Sequence, residues 1–219
     1  ASADRLEAIF AEVELPVAHR SDIARLAGDL VGYQSPRLAR RFLSLLGETW
    51  TAERAAGGDG EHTAAVGLGY HKLLAAKDEY EVARLLLDHP GSSGRTTWLL
   101  HPPLLRALGL SRKIRLGPWA TPAMAALRAG RRLRGTPLDP FGRTALRRQE
   151  RKLPLEYAAG IHALLGTLDA ASLPAAAEVA RFPDRVRGYE DVKVRSIAAY
   201  RRDLDAALAA FPPRAGADD

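Results

Sequence analysis

The chain has 219 residues, of which 47% are hydrophobic and 26% are charged, and its net charge is +6. These values are typical of a globular protein and argue against global disorder. The sequence contains no Cys, which excludes disulfides, thiolate metal sites, iron–sulfur ligation and a Cys nucleophile.

Helical periodicity predicts three helices in the first part of the chain. The first covers about 2–13 and ends before Pro16, and Ser21-Asp22 is a candidate cap for the second. Ser35-Pro36 supplies a cap and a first-turn Pro for the third. The spacing of Ala24 and Gly28 also fits a helix-turn-helix bend, although two packed helices are the favoured interpretation.

A Gly-rich stretch, Gly57 to Gly60, predicts a flexible break, and one long helix is expected from Thr63 to Asp88. Gly58-Asp59-Gly60 resembles half of a thiamine diphosphate metal site. That site is completed by an Asn, and the sequence contains no Asn. A plain Gly/Asp loop is therefore favoured.

The remainder of the chain mixes short elements with helices. Two β-prone runs, at about 96–100 and 113–116, predict a small antiparallel β-ribbon. A short basic helix is expected to run to Leu133, followed by a turn rich in Pro and Gly. Further helices are expected at about 142–168, at 172–181 and from after Tyr189 to about 210, with Pro154 and Gly160 as candidate breaks in the first of these.

The predicted fold is therefore mainly α, an irregular multi-helix domain with a small antiparallel β-ribbon. We expect a single helical domain over 1–213, with suggested halves 1–90 and 95–213, and a flexible tail over 214–219. The N-terminal residues contain no apolar block, and no apolar stretch reaches the ~20 residues that a membrane helix needs. We expect a cytoplasmic protein without a membrane partner.

The positive charge is concentrated in one segment. Residues 112–152 carry twelve Lys or Arg and two acids, whereas 1–111 and 153–219 each have a net charge of −2. Such a segment is typical of proteins that bind polyanions. Nucleic-acid binding favours aromatic residues interleaved with the bases, and only Trp119 and Phe141 are available. A basic helical nucleic-acid-binding or scaffold protein is therefore the alternative, and an acidic neighbouring domain is preferred.

The run from Lys77 to Arg84 contains five charged residues. Asp78 and Glu81, three positions apart, share a helix face and could serve acid–base chemistry in an independent enzyme. The favoured interpretation is a salt-bridged helix face that meets another domain.

The turn from Leu133 to Thr144 lies between Arg-rich helices. Arg134 and Arg143 are suited to bidentate binding of a carboxylate or a phosphate, and Asp139 is a candidate cap for the following helix. The six His residues are scattered without ligand spacing, so no metal site is predicted. We predict no catalytic residue.

Several motifs, taken in order, resemble the C-terminal region of large, single-chain indolepyruvate ferredoxin oxidoreductases. The resemblance covers about 20–211. It rests on Leu30-Val-Gly-Tyr-Gln34, Lys77-Asp-Glu-Tyr-Glu-Val-Ala-Arg84, Leu100-His-Pro-Pro-Leu-Leu105, Gly117-Pro118-Trp119, Leu133-Arg-Gly-Thr-Pro-Leu-Asp-Pro-Phe-Gly-Arg-Thr144, Arg187-Gly-Tyr189 and Val192-Lys193.

This resemblance implies an accessory, non-catalytic region of an enzyme that oxidatively decarboxylates 2-oxoacids to acyl-CoA and reduces ferredoxin. Thiamine diphosphate, Mg and iron–sulfur clusters would lie in other domains, with none in this chain. The implied partners are those catalytic domains, in the same chain or a separate subunit, and ferredoxin indirectly; a homo-oligomer is compatible with this. The candidate interaction or anion-binding residues are Lys77, Asp78, Glu81, Arg84, Trp119, Arg134, Asp139, Arg143 and Lys193.

Overall fold

The computed structural model describes residues 2–88, 98–100, 114–116 and 118–211, and this part of the chain is mainly α-helical, as the sequence predicts. The α-helices are α1 (Ser2–Ala11), α2 (Arg20–Tyr33), α3 (Pro36–Ala55), α4 (Glu61–Leu74), α5 (Glu79–Asp88), α6 (Thr121–Ala129), α7 (Ala145–Leu165), α8 (Leu173–Ala180) and α9 (Glu190–Ala209). Short 3-10 helices cover Val17–His19, Pro118–Ala120, Gly130–Leu133, Phe141–Arg143 and Phe182–Arg185. No described helix is both long enough and apolar enough to cross a bilayer.

Two short strands form an antiparallel ribbon. Strand β1 (Trp98–Leu100) pairs with β2 (Ile114–Leu116), and Leu99 lies opposite Arg115. Each strand falls inside one of the two segments for which the sequence predicts a ribbon.

The chain divides into two compact units. Unit 1 comprises Ala1–Ala75 and Arg148–Asp219, and unit 2 comprises Ala76–Arg147. Unit 1 is thus assembled from two separated stretches of sequence. The junction between the suggested halves, at 90–95, and the predicted tail both lie outside the described residues.

The core of unit 1 is built around α4, which packs against α2, α3 and α8. Three buried aromatic rings extend through it. Phe42 stacks on Tyr70 with ring centroids 6.2 Å apart, and Tyr70 stacks on Tyr157 at 6.0 Å. Large buried rings contribute much of the apolar area that stabilises a core of this size.

The first helices follow their sequence signals closely. The Ser35 hydroxyl accepts a hydrogen bond from the Leu38 amide at 3.4 Å, and Pro36 is the first residue of α3, so this predicted cap is confirmed. The second helix begins at Arg20, before the predicted cap at Ser21-Asp22. Gly28 lies inside α2, so no helix-turn-helix bend is formed there.

A buried carboxylate anchors the Gly-rich loop between α3 and α4. The Glu53 carboxylate accepts hydrogen bonds from the amides of Gly60, His62 and Thr63 at 3.0, 3.0 and 2.8 Å and from the Thr63 hydroxyl at 2.6 Å. A Cβ at Gly58 would lie 2.4 Å from Glu53 Cγ. Glu53 thus satisfies the first amides of α4, and the loop predicted to be a flexible break is tied to α3.

Two helix predictions are wrong. The helix expected from Thr63 to Asp88 is two helices, because the chain leaves the α conformation at Ala75 and re-enters it at Glu79. The breaks considered at Pro154 and Gly160 do not occur, since α7 continues through both. At Gly160 the missing side chain allows Leu204 and Leu208 of α9 to approach within 3.6 and 3.3 Å of the Cβ position.

Unit 2 contains α5, α6 and the ribbon. Helix α5 packs against α6 around Ala83, Ala120 and Met124, which are buried. Leu86, Leu87 and Leu127 pack around this small cluster and are partly buried. The apolar core of the described part of unit 2 is small, so polar interactions carry a larger share of its structure.

Candidate interaction site

The start of α5 is fixed by Asp78. Its side chain accepts a hydrogen bond from the Glu81 amide at 2.9 Å, and its carbonyl accepts one from the Val82 amide at 2.9 Å. Asp is a preferred N-cap because its carboxylate satisfies an amide that has no partner in the first turn. This cap explains why the chain starts a new helix here.

The same carboxylate forms a buried ion pair with Arg134. Arg134 Nε donates to Asp78 Oδ2 at 2.5 Å and Nη2 donates to Oδ1 at 2.7 Å. The side chains are only 7% and 11% exposed, and the guanidinium lies over the Tyr80 ring at 5.5 Å from its centroid. A fork-to-fork pair is the geometry in which Arg binds a carboxylate most strongly.

Asp139 holds the turn that follows Arg134. Its Oδ1 accepts hydrogen bonds from the Tyr80 hydroxyl and the Phe141 amide, and its Oδ2 accepts one from the Gly135 amide, each at 3.1 Å. Gly135 has φ +82°, a conformation that favours glycine. The Phe141 bond ties Asp139 to the first residue of the 3-10 helix Phe141–Arg143, whose N-cap position is Pro140. Asp139 does not cap the long helix that follows, since the Thr144 hydroxyl accepts the hydrogen bond of the Arg147 amide at 3.2 Å there.

Tyr80 lies between Arg134 and Asp139, with the guanidinium over its ring and its hydroxyl bound to the carboxylate. It is 3% exposed and packs edge-to-face on Phe141 with ring centroids 5.1 Å apart. Burial, and secondarily the Asp139 carboxylate, raise the pKa of Tyr80 to about 12, because the ionised phenol would be desolvated next to a negative charge. Tyr80 therefore remains a hydrogen-bond donor throughout the physiological pH range.

A second set of ion pairs extends along α5. Arg84 donates from Nε and Nη2 to the two oxygens of Glu81 at 2.9 and 2.7 Å, and Glu81 is buried. Asp88 lies 3.6 Å from Arg84 and 3.0 Å from Arg128 of α6. Asp78 and Glu81 each have both carboxylate oxygens bound by a guanidinium, so neither presents a lone carboxyl group for acid–base chemistry.

The structure therefore brings Asp78, Arg134 and Asp139 together around Tyr80 in unit 2, with Glu81 and Arg84 on the adjoining turn of α5. Sequence analysis treated the helix from Lys77 to Arg84 and the turn from Arg134 to Arg143 as separate candidate contact surfaces. It did not single out Tyr80, whose place in a dense run of charges was the available signal.

The remaining predicted residues are placed differently. The Lys77 carbonyl accepts hydrogen bonds from the Arg147 guanidinium at 3.4 Å, and Arg143 donates to the Pro137 carbonyl at 3.3 Å. Trp119 is 73% exposed. Lys193 belongs to unit 1, where it forms an ion pair with Glu150.

The described residues contain no group of three or more His, Cys, Asp or Glu arranged to hold a metal ion. Asp59, the acid of the thiamine-like loop, accepts a hydrogen bond from the Glu61 amide at 3.2 Å, as an ordinary turn residue does.

Comparison with known proteins places the chain in a family. No curated protein and no solved structure matches the chain. The family DUF6537, described as a family of unknown function, matches residues 20–206. That range includes most of both units, and the chain therefore belongs to the DUF6537 family.

Proposed function

We propose that this chain is a non-catalytic interaction region of a thiamine diphosphate- and iron–sulfur-dependent 2-oxoacid:ferredoxin oxidoreductase of the indolepyruvate type, acting in the cytoplasm. The support is the resemblance of ordered motifs along about 20–211. Its partners are the catalytic domains of that enzyme, in the same chain or a separate subunit, and ferredoxin is reached through them.

The observation that carries an interaction role is the charge of unit 2. Its sequence contains thirteen Lys or Arg and five Asp or Glu, a net charge of +8, whereas unit 1 has nineteen and twenty-one, a net charge of −2. The motif residues Asp78, Arg134 and Asp139 are engaged within unit 2 and build its framework. Trp119 is exposed next to Ala120, which packs in the small core of unit 2, and Trp is a residue type enriched at interaction hot spots.

The cofactors of the proposed enzyme belong to its other domains. The donors of this chain do not fit an iron–sulfur cluster, because the sequence contains no Cys. They do not fit a thiamine-bound magnesium ion either, since Asp59 is engaged in its own turn and the sequence has no Asn. We therefore assign this chain no step in the chemistry.

An anaerobic pull-down tests the proposal. The tagged chain is incubated with lysate of its source, and the captured proteins are identified by mass spectrometry, visible absorption and thiamine content. We expect a large brown protein that contains thiamine. The variant Trp119→Ala should capture less of it, and Leu68→Ala, which removes an apolar side chain 58% exposed in unit 1, should capture as much as the unmodified chain.

Capture of no coloured, thiamine-containing protein would contradict the proposal. If Trp119→Ala and Arg143→Ala each capture as much of the partner as the unmodified chain does, unit 2 is not the docking surface. Arg134 is a poor test residue because it is buried in an ion pair and its substitution would disturb the fold itself.

A further inference from the structure

Five arginines of unit 2 lie around the end of α6. Arg84 and Arg128 both pair with Asp88, and the Arg134 amide donates to the Arg131 carbonyl directly after the 3-10 helix. We call these residues the arginine cluster: Arg84, Arg128, Arg131, Arg132 and Arg134. Arg128 lies in the last turn of α6, and Arg131 and Arg132 lie in the 3-10 helix Gly130–Leu133 that follows. Positions three apart lie on one side of such a turn, so Arg128 and Arg131 share a side.

The cluster has more positive than negative charges. Asp78 pairs with Arg134, Glu81 with Arg84, and Asp88 with Arg84 and Arg128. Among the described residues, the side chains of Arg131 and Arg132 make no ion pair or hydrogen bond. Arg131 and Arg132 are therefore the members of the cluster that no described carboxylate binds.

The sequence explains why Arg131 and Arg132 find no carboxylate close to them along the chain. The 50 residues between Asp88 and Asp139 contain no Asp or Glu and nine Lys or Arg. The two acids that flank this stretch are already engaged, since Asp88 pairs with Arg84 and Arg128 and Asp139 binds Tyr80 and the amides of Gly135 and Phe141. Arg131 is nevertheless half-buried, where an unpaired charge is unfavourable.

The surroundings act directly on Arg131. Burial lowers the pKa of the Arg131 guanidinium, and the charges of Arg128, Arg132, Arg84 and Arg134 lower it further. A bound anion would relieve both effects, since it replaces lost hydration with charged hydrogen bonds and offsets the repulsion.

We propose that Arg131 and Arg132 form a binding site for carboxylates of an acidic segment of a partner protein. This inference deepens the proposed interaction role. It rests on that role in one respect, because it requires a protein partner. The other three arginines of the cluster, Arg84, Arg128 and Arg134, each bind a carboxylate within this chain. Consecutive residues of a 3-10 helix start about 120° apart, which suits separate groups along a segment better than one phosphate.

The test uses the full chain and a peptide of six glutamates with blocked ends, titrated at low salt by calorimetry. We expect saturable binding that weakens about tenfold or more in Arg131→Gln, because a charge-assisted pair is lost. Arg131→Lys should weaken it less, since it keeps the charge and loses the fork. Arg195→Gln makes the same charge change at an exposed position of unit 1 and should leave binding unchanged.

Two further ligands serve as comparisons: a six-glutamine peptide, which lacks the negative charges and should not bind, and inorganic phosphate, which is an anion without a peptide chain. Equal peptide binding by Arg131→Gln and the unmodified chain would overturn the proposal. So would binding of phosphate that depends on Arg131 while the glutamate peptide does not bind. Circular dichroism of each variant shows that the fold is kept. If the peptide binds at Arg131 but the pull-down captures no oxidoreductase, the site is correct and the proposed enzyme is wrong; the reverse result overturns the site alone.

Discussion

A single buried ion pair connects two distant parts of unit 2. Asp78 and Arg134 are 56 positions apart and both nearly inaccessible. Removing one partner of such a pair leaves a desolvated charge without compensation, which costs much more than the net value of the pair. The pair therefore determines whether the turn stays attached to α5.

We predict that Asp78→Asn lowers the free energy of unfolding of unit 2 by about 3–5 kcal/mol. Asn keeps the capping ability of Asp, so the loss reports on the charge. Adding Arg134→Gln to Asp78→Asn should recover part of the loss. Urea unfolding followed by tryptophan fluorescence measures this in a Trp50→Phe background, because the remaining tryptophans, Trp98 and Trp119, belong to unit 2.

The matched control is an exposed pair. Glu14 and Arg54 lie 2.9 Å apart with side chains 71% and 55% exposed, so Glu14→Gln should cost less than about 1 kcal/mol. Because this pair lies in unit 1, its unfolding is followed with Trp50, which also lies in unit 1, retained. A loss of similar size for Asp78→Asn would show that the buried pair has no special role.

The buried His62 should make the stability of unit 1 depend on pH. It is buried, and neither ring nitrogen meets hydrogen-bond geometry with a described atom. Burial lowers the pKa of His62 below 6.5, and the Glu53 charge and the Ala176 backbone oppose this only in part. Below pH 6.5 the unfolded chain therefore takes up a proton that the folded ring does not, and stability falls as the pH falls towards the folded pKa.

We expect His62→Leu to lose this dependence. Urea unfolding from about pH 7.5 down to about pH 5.5 should show the original chain weakening relative to the variant. A difference between the two proteins that stays constant over this range would mean that the pKa of His62 is the same in the folded and the unfolded chain, and would contradict this prediction.

Close packing between helices depends on one glycine. A Cβ at Gly69 of α4 would lie 2.5 Å from the Ala180 carbonyl oxygen and 2.8 Å from Tyr157 Oη. Tyr157 itself donates to that carbonyl at 2.8 Å, so neither atom can move without breaking the bond. Helix α4 can pack against α8 here only because Gly69 has no side chain.

Gly69→Ala should therefore destabilise unit 1 by about 1–3 kcal/mol, the usual cost of overpacking a well-packed core. Gly166→Ala is the control, because no atom lies within 4 Å of its Cβ position; it should be neutral or stabilising by less than about 1 kcal/mol. Thermal unfolding of both variants is the measurement, and equal melting temperatures would contradict the packing argument.

Local signals in the sequence predicted many of the helices. Ser35 and Pro36 mark the start of α3 because a cap and a fixed φ act within a few residues. The break at 75–78 was missed because apolar periodicity continues across it, and the Asp78 cap is visible only once the chain has turned. Pro154 was considered a break because an interior Pro removes a helical hydrogen bond and crowds the preceding turn, yet α7 continues through it and buries its ring.

The candidate site was predictable only in part. The sequence identified Asp78, Arg134 and Asp139 as important, but no spacing rule links residues 56 positions apart. It therefore assigned Asp78 and Arg134 to two surfaces, whereas the structure pairs them with each other. The surplus charge on Arg131 also required structure, since it depends on which arginines already have partners.

Charge is distributed unequally over the whole molecule. This distribution provides a way to distinguish the proposed protein-docking function from nucleic-acid binding. Unit 2 carries +8 and unit 1 −2, so any anionic partner should bind through unit 2. An acidic protein and a nucleic acid would both respond to salt, because exposed charges are screened over about 10 Å at 0.1 M and about 3 Å at 1 M. The two differ in how sensitive they are to individual arginines.

We predict that the double variant Arg131→Gln/Arg132→Gln releases the captured protein partner at a lower salt concentration than the unmodified chain does. The control, Arg195→Gln with Arg202→Gln, makes the same charge change on α9 of unit 1 and should not alter release. Short duplex DNA added as a competitor should leave the protein partner bound. If the DNA instead displaces it, with an affinity that falls steeply and linearly in a double-logarithmic plot against salt, several phosphates are being contacted. The basic unit would then serve nucleic-acid binding, since counterion release depends on the number of charges and hardly on which two arginines are missing.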